Sequence, residues 1–102
     1  MNEQDALFIV YENILGMNSL SNKLSDRLGL DEEQFQETVR ALELLIDHYK
    51  NELAVPKKLA LCMVDIYGAF DFDRSYYTDK SDREKIEDAG IKLQQLAMEL
   101  FS

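Results

Sequence analysis

Two stretches of the chain step through their apolar residues at alternating intervals of four and three. One is Phe35, Val39, Leu42, Ile46, Tyr49 and Leu53; the other is Ile86, Gly90, Leu93, Ala97 and Leu100. That period keeps each set on one face of an α-helix and is incompatible with the two-residue alternation of a strand. Two long amphipathic helices in 102 residues leave room for little besides further helices. Only 4 Gly and 1 Pro interrupt the chain, so the sequence predicts an all-α fold: one domain over residues 1–102, a compact bundle of about five helices.

The punctuation marks the ends. Helix one is expected over Glu3 to Leu15, with Asn2 as N-cap, Glu3 and Asp5 complementing the dipole, and Gly16 as the stop. Phe8, Ile9 and Leu15 widen its apolar stripe, which predicts contact with two neighbours. Helix two is expected from Ser19 to Leu28 after Asn18, stopped by Gly29 in a Schellman ending that folds Leu30 onto Leu24. Asp31 should cap helix three, with Gln34 closing a capping box, and Pro56 should end it and open helix four. Helix four, to about Tyr67 or Phe70, contains "LALCMV" and a single charge after its lysines, so it is expected at the centre of the bundle. Ser81 and Glu84 form a capping box that should open helix five, where Gly90 would admit a close neighbour.

Charge narrows function. There are 20 Asp and Glu against 11 Lys and Arg, a formal net charge of −9. Up to Glu52 there are 11 acids and 4 bases, a balance of −7; beyond it 9 and 7, a balance of −2. Such a surface repels phosphate backbones and anionic headgroups and attracts basic proteins, so neither nucleic acid nor membrane is an expected partner. "LSDRLGLDEEQFQETV" has helix-turn-helix spacing, but its second helix would push Glu32, Glu33 and Glu37 at DNA. The single cysteine forbids an internal disulfide, and no apolar run approaches the roughly 20 residues of a membrane span. The opening "MNEQDALFIVYEN" lacks a basic leader, and a soluble, cytoplasmic protein is expected.

Catalytic and metal chemistry find little support in the residues. His48 has no further His or Cys at ligand spacing, and Cys62 lies in the most apolar stretch, as an inert core thiol does. No carboxylate pair is marked for acid-base work, so neither enzyme activity nor a cofactor is expected. From Asp71, the loop places Asp73, Ser75, Tyr77, Asp79 and Asp82 at the oxygen-ligand positions of an EF-hand. Tyr76 stands where that loop requires glycine, and Asp82 is shorter than the glutamate that closes it, so calcium binding is not the favoured reading.

The same segment, "FDFDRSYYTDKSD", sets two adjacent tyrosines among aspartates. It reads as an interface anchor, Tyr76 and Tyr77 supplying buried area and the acids steering a basic partner, or else as rings tucked onto the core. In charge, length and "DRSYYTDKSD", the chain resembles the small acidic helical immunity proteins by which bacteria block their own toxins. That resemblance implies a monomeric or dimeric inhibitor in which Tyr76 and Tyr77 anchor the contact while Asp71, Asp73, Asp79 and Asp82 pair with cations of the toxin. Because the acidic excess lies in the first half, helix three with Glu33, Glu37 and Asp47 is the other expected binding face. A self-associating structural or regulatory module, joined through helix one or helix five, is the alternative.

Overall fold

The computed structural model describes residues 1–70 and 76–102. Five helices follow in order: α1 (Glu3–Leu15), α2 (Leu20–Ser25), α3 (Glu32–Tyr49), α4 (Lys57–Ala69) and α5 (Lys80–Leu100), with no strand among the described residues. Four of them are full-length; α2 has six residues and amounts to less than two turns. No helix is long and apolar enough among the described residues to cross a membrane.

The four long helices close a ring in which α1 packs on α3, α3 on α5, α5 on α4 and α4 on α1. The interior is filled by their inward edges, including Val10, Leu42, Leu45, Leu59, Met63, Ile66 and Leu93, all essentially solvent-free. Burying each such side chain contributes roughly 1.5–3 kcal/mol.

This ring corrects the expectation of a central α4. A ring of four has only corner positions, so α4 buries one edge (Leu59, Cys62, Met63, Ile66) and turns an equally apolar one outward. Leu61, Val64 and Tyr67 are 56%, 69% and 53% exposed. Phe8, expected to widen the packing stripe of α1, also points to solvent, although α1 does contact both α3 and α4. Leu53 lies beyond the end of α3 and is fully exposed.

Locally encoded ends fall where expected. Asn2 accepts the Asp5 N–H at 2.8 Å, and the Asp5 carboxylate accepts the Asn2 N–H, a complete capping box. Gly16 is the C-cap of α1 in an extended conformation, and a Cβ there would lie 2.5 Å from the Glu12 carbonyl oxygen, which favours glycine at the position. Asp31 caps α3, accepting the Gln34 N–H at 3.0 Å. The Lys23 ammonium, 2.8 Å from Asp31, holds its carboxyl below the usual range, helped by the Gln34 N–H.

Other ends are displaced. The Schellman pair forms, Arg27 N–H to Leu24 O and Leu28 N–H to Lys23 O, but two residues ahead of Gly29. Arg27 therefore takes the left-handed conformation, with φ +60°. Ser19, not Asn18, caps α2, accepting the Asn22 N–H. The Gln34 side chain leaves the expected box and donates to Asn13 Oδ1 and Asn18 O instead. Asp79, not Ser81, caps α5, accepting the Asp82 N–H at 3.1 Å, so the helix begins ahead of the expected box.

Candidate partner-binding face

The α1–α3 edge is joined by a buried polar hub. Asn13 Nδ2 donates to Thr38 Oγ1 at 2.9 Å and to Glu37 Oε1 at 3.1 Å; Asn13 Oδ1 accepts from Gln34 Nε2. The Thr38 hydroxyl donates back to the Gln34 carbonyl at 2.8 Å. At the other end of the edge the Tyr49 hydroxyl donates to Glu3 Oε1 at 2.5 Å, and His48 Nε2 lies 3.1 Å from Glu3 Oε2. Burial, reinforced by the Glu3 carboxylate, pushes the Tyr49 phenol up to about 12. These anchors join α1 and α3 antiparallel, with the polar residues of α3 facing away from the core.

The outward side of α3 is a carboxylate surface. Glu33, Arg40 and Asp47 recur every seven residues and so share a face, with Gln36, Glu37 and Glu43 beside them. An open depression of about 690 Å³ runs along the first turns, lined by Asp31, Glu32, Glu33, Gln36, Glu37 and Arg40. Asp31 is paired with Lys23, and Glu32 lies 3.8 Å from Lys85. Glu33 and Glu43 have no cation within ion-pair distance among the described residues, and Glu37 is oriented by Asn13.

The tyrosine pair is placed differently from a protruding anchor. Both rings are half-buried and packed near one another, with centroids 5.5 Å apart. The Tyr76 hydroxyl donates to the Ser25 carbonyl, and the Tyr77 hydroxyl donates to the Leu24 carbonyl at 2.7 Å while accepting the Gly29 N–H at 3.3 Å. Arg27 stacks over the Tyr76 ring, its guanidinium 4.4 Å from the centroid. The Tyr76 phenol thus engages the Ser25 carbonyl at the end of α2, and the Tyr77 phenol adds a second donor to the Leu24 carbonyl, which already accepts the Arg27 N–H.

Of the other expected site residues, Asp79 is engaged as the α5 cap, and Asp82 lies in the first turn of α5. Asp71 and Asp73, with Ser75 of the EF-hand reading, lie outside the described residues. A cavity of about 390 Å³ brings Tyr77 and Asp82 together with Glu32, Arg27 and Lys85. Tyr77 and Asp82 of the expected loop site are therefore adjacent to the start of α3, the rival site. Among the described residues no cluster of His, Cys, Asp and Glu could hold a metal ion. Cys62 is fully buried, and that burial pushes its thiol up to about 11, far from a reactive thiolate.

Asn13, Gln34 and Thr38 were not legible as a unit, because nothing local in the sequence marks contacts 21 to 25 residues apart. The fold and the site together define an all-helical ring with a carboxylate-rich α1–α3 edge. Comparison with protein-family models, curated proteins and solved structures finds no match.

Proposed function

We propose that the chain is a small acidic protein-binding module that acts by masking a basic partner, and works by binding instead of catalysis. The observation that carries this reading is the row of exposed carboxylates on α3. Among the described residues Glu33 and Glu43 stand there without a cation at ion-pair distance, on an 18-residue helix anchored at both ends to α1. A surface on which carboxylates outnumber the single Arg40 steers a cationic macromolecule toward contact. Binding centres on Glu33, Glu37 and Glu43, with Asp82 and the Tyr77 edge at its margin across the Glu32 cavity. An immunity protein that neutralises a toxin is the specific form of this reading that the sequence resemblance supports.

Affinity capture at low salt, with Glu33→Lys plus Glu37→Lys plus Glu43→Lys beside Tyr76→Phe plus Tyr77→Phe, tests it. The charge-reversed chain should lose a basic companion that the wild type releases on raising the salt. Retention of that companion by the triple variant would remove α3 from the site.

A further inference from the structure

We infer that the face formed by α4 and α5 docks a second copy of this chain in an antiparallel, two-fold pair. The ring order places this edge opposite the α1–α3 edge. Its character is the reverse. Leu61, Val64 and Tyr67 project from α4; from α5 come Ile91, which lines a groove of about 270 Å³ with Tyr67 and Gln94, and Met98, two turns further along the same side. Phe101 follows Gln94 by seven residues and is exposed as well. Six of the large apolar side chains that reach solvent thus gather on one edge of a chain carrying −9. A contiguous apolar patch on a strongly charged protein marks a surface that another molecule covers.

Charge selects the second copy as that molecule. Lys57 lies one turn before Leu61 at one end of the face, and Glu87 borders the Tyr67–Ile91 groove at the other. Neither has an ion-pair partner among the described residues. Ten residues of helix, about 15 Å, separate Lys57 from Tyr67. A two-fold axis near Val64 and Gln94 therefore brings each Lys57 to the other copy's Glu87, closing two identical ion pairs around an apolar centre. α4 carries Lys57 and Lys58 but no acid in its first turn, an arrangement that opposes its own dipole. Lys58 lies over the Tyr11 ring of α1, on the other flank; docked antiparallel, Lys57 instead approaches the C-terminal end of the other copy's α4. The acidic α1–α3 edges then lie on the outer sides. With each copy 19 to 23 Å across its shorter axes, their separation exceeds the Debye length of about 8 Å, so salt screens most of the repulsion between those edges.

Sedimentation equilibrium of the full chain from about 1 to about 100 μM should show a reversible dimer. Val64→Asp, at an exposed position that leaves the helical circular dichroism unchanged, should be monomeric throughout. Lys57→Glu or Glu87→Lys alone should weaken association about tenfold, and the two together should restore it. A wild type that stays monomeric overturns the inference, as does a dimer indifferent to Val64→Asp. Single charge changes not rescued by the double exclude the antiparallel pairing. A monomer that binds zwitterionic vesicles would assign the face to lipid and also overturn it.

Discussion

The Tyr77 hydroxyl donates to the Leu24 carbonyl across 53 positions of sequence, closing the end of a helix too short to hold itself. The same oxygen accepts from the Gly29 N–H. Tyr77→Phe keeps the ring and removes both bonds, so it should lower unfolding free energy by about 1–2 kcal/mol with an unchanged urea m-value. Under the proposed function it should leave salt-sensitive partner binding largely intact.

Arg27 combines a cost with a gain. A left-handed non-glycine residue costs about 1–2 kcal/mol, while the stack on Tyr76 returns roughly 0.5–1 kcal/mol. Arg27→Gly should therefore be near neutral in the wild type, yet stabilise a Tyr76→Ala background by about 1 kcal/mol. Thermal melts of the four chains in the cycle measure the difference.

Asn13 holds α1 to α3. Asn13→Ala should cost about 2–3 kcal/mol, since it strips several bonds from a buried hub at once. Asn13→Asp should be worse at pH 7, because it sets a second carboxylate beside Glu37. Its deficit relative to Asn13→Ala should shrink on acidification, when the raised carboxyl protonates. Chemical denaturation at pH 7 and pH 4 separates the two effects.

Gly90 admits Phe70. A Cβ at position 90 would stand 3.0 Å from Phe70 Cβ and 3.4 Å from its Cγ, and Phe70 is buried. Gly90→Ala should destabilise by about 1–3 kcal/mol despite the better helix propensity of alanine. Phe70→Leu in the same chain should recover part of that loss in a denaturation experiment.

Alkali should unfold the protein through two groups. Tyr49 and Cys62 are raised in the fold to about 12 and about 11, above ordinary values of 10.0 and 9.0. Groups raised on folding contribute stability that is complete below the unfolded value and disappears as pH climbs through the folded one. Stability should therefore fall between about pH 9 and pH 12. In an ultraviolet titration the Tyr49 transition should centre near 12, and Glu3→Gln should lower its midpoint.

What was legible in the sequence was local. Asn2, Gly16 and Asp31 act within four residues of their own position, so the limits of α1 and the start of α3 could be read directly. The start of α5 was misread onto Ser81 with Glu84; Asp79, whose side chain accepts the Asp82 N–H, takes the position. The stop of α2 was misread onto Gly29, since the residues that complete it come from beyond α4. The apolar completeness of α4 was visible, but not that a four-membered ring would leave half of it uncovered. Charge alone pointed to Glu33 and Glu37, while the role of Tyr76 and Tyr77 depended on contacts that no periodicity reveals.

The clasp between the tyrosines and α2 makes two distant stretches of chain interdependent. Asn22 ties the front of α2 to the carbonyls of Gly16 and Met17, and the phenols tie its rear. This miniature helix thus behaves as a keystone, held in place by residues 51 and 53 positions further along the chain. Transplanting either piece into another scaffold without its counterpart would give an unfastened strap.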